Sequence, residues 1–146
     1  MITLKQATVE DIVLFIETAR TMDKAEVIQS SGKPIEFHIR TLVEKKPLGI
    51  WSGNDLLGIG GVEPDKENGA IGWMLLTTKV YDHKIEFLRW SKRYVKELLK
   101  KYRRIYNYVY ILNFWHIDYL KWLGAVFVDT GKHDNFMLFT LERGCL

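Results

Sequence analysis

Cysteine is almost absent. The chain of 146 residues holds one, Cys145, so no internal disulfide forms, and no neighbour offers it a catalytic or metal-binding partner. A lone thiol fits a reducing cytoplasm. Proline is nearly as scarce: Pro34, Pro47 and Pro64 are scattered, and no Ser/Gly-rich, low-complexity or repeated stretch accompanies them. No linker is visible, and a single domain over residues 1–146 is expected. Long apolar runs are missing too. The longest, such as Ile71–Leu76 with its glycine, fall far short of the roughly 20 residues that span a bilayer. The start, Met1-Ile2-Thr3-Leu4-Lys5, lacks the basic flank and apolar core of a signal peptide. Neither export nor a membrane span is expected. The four histidines, His38, His83, His116 and His133, are too dispersed for metal-ligand spacing, so no metal is expected and they read as surface or capping residues. The absence of Gly-x-Ser-x-Gly and of any Cys/His pairing sets nucleophilic hydrolysis aside.

What is present is enough apolar material for a core. At 47% hydrophobic and 13% aromatic content, a chain of this size buries a proper interior. The net charge of +3 is unevenly spread. Residues 84–104 hold nine Lys/Arg against Glu86 and Glu97, a local +7, and the remainder carries 12 Lys/Arg against 16 Asp/Glu, a balance of −4.

Periodicity divides the chain into short elements. Ile2 and Leu4 alternate with polar neighbours, and Thr8 stands three residues before Asp11, ahead of Ile12, Val13, Phe15, Ile16 and Ala19. This predicts a strand, a cap and a helix. Pro34 suits the first turn of a second helix carrying Ile35, Ile39, Leu42 and Val43, with Pro47 beyond its end. Leu48–Trp51, Leu56–Val62 and Ala70–Leu76 are apolar runs parted by Ser52-Gly53-Asn54-Asp55 and by Pro64-Asp65-Lys66-Glu67-Asn68-Gly69, the pattern of an antiparallel meander. Ile85–Tyr102 carries one apolar stripe and predicts the clearest helix. Ile105–Leu112 reads as a strand covered on both faces, and His116–Leu123 as a helix that Gly124 ends. Ala125–Val128 and Phe136–Leu141 complete a hairpin. The expected fold class is α/β, with a mixed, mainly antiparallel central sheet flanked by helices in the order βααβββαβαββ.

That order resembles the GNAT acetyltransferase fold. The opening Ile2-Thr3-Leu4-Lys5-Gln6-Ala7-Thr8-Val9-Glu10-Asp11-Ile12 is similar to the usual start of that family, and Asn113-Phe-Trp-His-Ile-Asp-Tyr-Leu-Lys-Trp-Leu-Gly124 resembles its segment after the fifth strand. A closer resemblance is to the internal virion protein A family of short-tailed bacteriophages, which shares this fold. Asn107-Tyr-Val, His116-Ile, Tyr119-Leu120-Lys121, Gly124-Ala125-Val126-Phe127 and Leu138-Phe139-Thr140 carry it. It implies a role in phage assembly or the internal particle, in the host cytoplasm or the virion interior, with other phage proteins as partners.

Working GNAT enzymes follow the fourth strand with a glycine-rich loop whose bare amides and helix N-terminus hold the cofactor's pyrophosphate. Here the stretch is Thr77-Thr78-Lys79-Val80-Tyr81-Asp82-His83-Lys84-Ile85, without glycine. Asp82 reads as a helix N-cap, its carboxylate filling the place of an anion. The family's general-acid tyrosine falls on Leu120, and Tyr119 would point roughly 100° away on a helix. No carboxylate stands in Ala70–Leu76 as a base, and Glu63 lies near a turn. No cofactor is therefore expected; if acetyl-CoA does bind, the resemblance assigns it to Leu75, Thr77 and Asn113. Gly58-Ile-Gly-Gly61 leads into a strand, not a helix, and reads as a tightly packed strand.

Two surfaces stand out as candidate partner sites. One is the basic helix with Arg89, Lys92, Arg93, Lys96 and Lys100, suited to an acidic partner, to non-specific nucleic-acid contact or simply to solvent. The other is Trp115, Tyr119 and Trp122, which offer an aromatic anchor or pack into the core. Three readings are carried forward: a non-catalytic morphogenesis protein, an acetyl-CoA-dependent N-acetyltransferase, and a nucleic-acid-binding accessory.

Overall fold

The computed structural model describes all of residues 1–146. The chain runs β1 (Ile2–Gln6), α1 (Val9–Thr18), α2 (Thr21–Ser31), α3 (Ile39–Glu44), β2 (Leu48–Ser52), β3 (Asp55–Asp65), β4 (Gly69–Leu76), α4 (Lys84–Tyr102), β5 (Arg104–Tyr110), α5 (Phe114–Trp122), β6 (Val126–Val128) and β7 (Phe136–Glu142). Single 3-10 turns over Ile35–His38 and Thr78–His83 lead into α3 and α4. The seven strands form a sheet in the order β1-β2-β3-β4-β5-β7-β6. No helix is long and apolar enough to cross a membrane. The expected α/β architecture and its mainly antiparallel sheet are present.

The chain divides into two compact units, residues 1–61 with 73–90 and residues 62–72 with 91–146. In the first, α1 starts on the capping box expected from sequence: Thr8 Oγ1 accepts from the Asp11 N–H at 3.1 Å, and the Asp11 carboxylate accepts from the Thr8 N–H at 2.9 Å. Two otherwise unpaired amides are thereby satisfied. Its inner face, Ile12, Phe15, Ile16 and Ala19, packs with Ile35, Leu42, Leu56 and Ile59. β1 and β2 pair antiparallel from Ile2↔Ser52 to Gln6↔Leu48, and β2 pairs β3 with a register shift between Ile50 and Trp51.

Helix α2 goes beyond the expected order. Its sequence, Thr21 to Ser31, shows little helical periodicity, and its one buried residue is a charge, Asp23, so an apolar-pattern reading passes over it. Gly32, in the left-handed region at φ 77°, ends it. The helix expected from Pro34 is a 3-10 turn followed by the six-residue α3.

In the second unit, β5 and β7 pair antiparallel over seven residues from Arg104↔Glu142 to Tyr110↔Phe136, and β6 closes the hairpin on β7. Its buried apolar side chains include Val95, Leu99, Ile105, Val109, Tyr110, Ile117, Tyr119, Leu120, Leu123, Phe139 and Leu141. The Arg143 guanidinium donates to the Leu99 and Lys100 carbonyls at 3.1 and 2.7 Å, adding to the bond that the Leu99 carbonyl accepts from the Arg103 N–H and serving the Lys100 carbonyl in the last turn of α4. Gly124, at φ 88°, ends α5 where a Cβ would lie 2.6 Å from the Cys145 carbonyl oxygen.

Candidate functional site

Strand β4 ends among groups of its own chain. The Leu76 N–H donates to Asp23 Oδ2 at 2.6 Å, and the Leu76 carbonyl accepts from the Arg20 N–H at 2.9 Å. Asp23 Oδ1 accepts from Arg20 Nη1 at 2.8 Å, with the two side chains 0% and 4% exposed. Arg20 Nε also donates to the Tyr81 hydroxyl at 2.7 Å. A buried ion pair is thus tied directly to the last peptide of the strand. One residue on, Thr77 is fully buried. Its N–H donates to the Leu57 carbonyl at 2.8 Å, its hydroxyl donates to the Leu56 carbonyl at 2.6 Å, and the same oxygen accepts from the Lys79 N–H at 3.2 Å.

The next residues, Thr78–His83, wind into the 3-10 turn that Thr77 caps. The Lys79 N–H is satisfied by Thr77 Oγ1 and the Val80 N–H by the Thr77 carbonyl. Val80 is fully buried. Asp82, expected as the N-cap of the long helix, lies inside this turn instead: the polypeptide begins to coil at Thr78, so the capping position moves upstream to Thr77. Leu75 is half-buried, and its carbonyl is the atom that a Cβ on Gly58 would approach to 2.5 Å. Cβ atoms on Gly60 and Gly61 would lie 2.7 and 2.8 Å from Trp73. Gly58, Gly60 and Gly61 are therefore a close-packing device, as expected from the strand context.

Neighbouring strand β5 runs parallel to β4, paired at Ala70↔Ile105 and Ile71↔Tyr106. Asn107 Nδ2 donates to the Gly72 carbonyl at 2.9 Å. Asn113 stands at the N-cap position of α5 beyond the other end of β5, without a side-chain capping bond, and is fully buried, its N–H donating to the Tyr110 carbonyl at 3.0 Å.

Helix α5 corrects two expectations. Tyr119, expected either on a partner-facing surface or in the core, is buried and hydrogen-bonded to Ser91, and burial drives its hydroxyl far above the ordinary tyrosine range. It is locked as a neutral phenol. His116, expected as a surface or capping residue, is buried too, its ring tilted to that of Tyr119 with centroids 6.0 Å apart. The reason is common to both: the exposed side of α5 carries Phe114 and Trp122 beside Asp118 and Lys121, so sequence periodicity does not say which side turns inward. Leu120, at the position of the family's general acid, is 3% exposed. Trp115 is half-buried against Tyr119, with ring centroids 5.7 Å apart and planes 12° off parallel. Trp122 remains exposed, with Lys92 Nζ 4.2 Å from its ring centroid.

The other histidines fit structural roles. His38 Nε2 lies 2.9 Å from Ser31 Oγ and His83 Nε2 lies 2.8 Å from Asp55 Oδ2, and the His133 ring sits edge-on to Tyr108 at 4.7 Å. The hydrogen bond from His83 holds the Asp55 carboxyl below its ordinary range. Cys145 is half-buried, with its thiol 3.4 Å from the Leu123 carbonyl and pushed up by burial. Such a thiol is a poor nucleophile.

Arg89, Lys92, Arg93, Lys96 and Lys100 are all exposed on α4. At 100° per residue they fall within about 60° either side of Arg89, a single cationic stripe. The buried stripe of the same helix, Phe87, Ser91, Val95 and Leu99, repeats every fourth residue.

Arg20, Asp23 and Tyr81 are not singled out by sequence. Their only signal is a charged pair three apart in a stretch without an apolar stripe, and that pattern is ordinarily solvated.

Comparison with known proteins agrees with both sides of this picture. An acetyltransferase from Thermus thermophilus superposes with a TM-score of 0.70 at 18% identity, covering 97% of each chain. The PaiA N-acetyltransferase from Thermoplasma acidophilum, solved with coenzyme A, superposes with a TM-score of 0.65 at 18% identity, covering 97% of this chain and 99% of that one. At such identities the likeness is one of fold, the GNAT fold. In sequence, the chain is 39% identical over 62 residues to the probable scaffold protein gp13 of Escherichia phage T7, which is 42% of this chain and 45% of that protein. The match thus spans less than half of the T7 protein. The family model described as bacteriophage T7 probable scaffold protein Gp13 matches residues 50–131, and with more than half of its length so matched, the chain belongs to that family.

Proposed function

We propose that this protein is a phage morphogenesis component that uses a GNAT fold without acetyl transfer, working by contacts with other virion or assembly proteins. The observation that carries this reading is the closed end of β4. A pyrophosphate needs bare amides at the strand-to-helix loop and a helix N-terminus turned towards it. Here the Leu76 amide is committed to Asp23, the Lys79 and Val80 amides to Thr77, and the loop is a 3-10 turn. The residues present do not suit acetyl-CoA. Leu75, Thr77 and Asn113 serve packing and capping in this reading. Leu120 supplies no proton, and Tyr119 is a buried phenol with no role in donating one. Membership of the scaffold-protein family supports action in the infected host's cytoplasm or inside the particle.

The test is calorimetric titration of acetyl-CoA and CoA into the purified protein, with thermal shift alongside, because a ligand of the folded state raises its stability. No binding at millimolar cofactor, together with recovery of the protein in purified particles or their precursors, is the expected result. Micromolar binding overturns the reading and restores the N-acetyltransferase alternative, which the whole-chain likeness to acetyltransferases favours.

A further inference from the structure

A second exposed helical face complements the cationic stripe. On α1, Val9, Glu10, Val13, Leu14 and Glu17 are all exposed, and at 100° per residue they span about 140° of the helix. The inner face of the same helix is fully used in the core, so this outer face, three apolar residues with two carboxylates, is surplus to folding. On α4, the stripe of Arg89, Lys92, Arg93, Lys96 and Lys100 is extended by Ile85, which is 67% exposed, and by Trp122 beside Lys92, which is 41% exposed. Large exposed apolar groups ringed by charge mark interaction sites.

The spacings match. Glu10 and Glu17 are seven residues apart, as are Arg89 and Lys96, and Arg93 and Lys100; two turns of helix set each pair about 10.5 Å apart along its axis. One helix laid along the other brings each carboxylate to a cation, with Val13 and Leu14 lying between the two pairs. We infer that the α1 face of one copy of this chain docks on the α4 face of a second copy. The two faces differ, so the contact is heterologous and leaves one of each open at the ends, and such contacts build rings or filaments. This rests on the proposed morphogenesis role, whose partner surface it identifies.

A helix-on-helix contact falls at the low end of interface sizes, below about 1,200 Å². Association is therefore read at high protein concentration and low salt, where charges are least screened. Sedimentation velocity of the wild-type chain should reveal species larger than a dimer that dissociate as salt is raised. R89E/K96E and E10K/E17K alter exposed side chains only, and thermal melts confirm that each still folds. Each alone should associate at least about tenfold more weakly. Mixed in equal amounts they should associate again, because the charge-reversed α1 meets the charge-reversed α4 and the two native faces meet each other.

A wild-type chain that stays monomeric at millimolar concentration in low salt overturns the inference. So do variants that associate like wild type, or a mixture that fails to recover. A monomeric chain still found in purified particles defeats self-association alone; acetyl-CoA turnover with absence from particles defeats the underlying reading.

Discussion

Asp23→Ala should be among the most damaging single changes in the molecule. The carboxylate is fully buried, and it accepts from Arg20 at 2.8 Å and from the Leu76 N–H at 2.6 Å. Removing it takes from a guanidinium at 4% exposure the carboxylate 2.8 Å away. Breaking a buried pair from one side costs about 3–5 kcal/mol, and depriving a buried amide of its acceptor costs about 1–3 kcal/mol. The two overlap, since one oxygen cluster serves both donors, so a loss of about 4 kcal/mol is expected. For a chain of this size that lowers Tm by roughly 8–16 °C. Urea and thermal unfolding measure it, and a double-mutant cycle with Arg20→Leu separates the pair from the peptide contact. The double variant should be more stable than Asp23→Ala, because no uncompensated charge remains, yet less stable than wild type, because the Leu76 N–H has still lost its acceptor. A loss below about 1 kcal/mol for Asp23→Ala would mean that water reaches the pair and that the closed end of β4 is not a structural fixture.

Two further outcomes follow from single contacts. Gly58→Ala places a Cβ 2.5 Å from the Leu75 carbonyl oxygen, a backbone atom that cannot swing aside, and should cost about 1–3 kcal/mol; a melting curve that overlays wild type would refute the packing role of the glycines. The Asp65 carboxyl is held below its ordinary value of 3.8 chiefly by the Tyr106 hydroxyl, then by Asn68 and the Glu67 N–H, and the Tyr106 hydroxyl is raised by the same bond. A lowered folded pKa means that the contribution is complete above about 3.8 and disappears as pH falls through the folded value. Tyr106→Phe should therefore melt lower than wild type at pH 7 and converge with it in strong acid, and a gap that is constant with pH would refute the assignment.

Much of the architecture was legible because it rests on local chemistry. The Thr8/Asp11 box, the turns at Ser52–Asp55 and Pro64–Gly69, and the basic-outside, apolar-inside α4 each declare themselves within a few residues. Gly58, Gly60 and Gly61 were readable as a packed strand because no helix follows them. What could not be read has the opposite character. α2 lacks an apolar stripe because its inward residue is a carboxylate, made suitable there by the nearby Arg20 guanidinium and by a partner 53 positions away, the Leu76 N–H. α5 hides its orientation for another reason: its exposed side carries Phe114 and Trp122 beside Asp118 and Lys121, so its faces contrast little and burial is decided by what packs on it, here Ser91 against Tyr119.

These two failures bear directly on function. From the loop sequence alone, the missing glycines argued only that a pyrophosphate would fit poorly. The Arg20–Asp23 pair adds a positive reason, because it commits the same peptide that an incoming ligand would need, and removing it costs several kcal/mol. The buried ion pair stabilises that strand end as it stands, with the Leu76 N–H already engaged. The exposed groups that stand out lie elsewhere: five cations and Trp122 on one surface, with Lys100 paired to Glu97 and Lys92 set over Trp122, and two carboxylates with three apolar side chains on another. Free interaction capacity on the outside, combined with satisfied groups where chemistry would occur, is the distribution expected of a protein whose work is assembly.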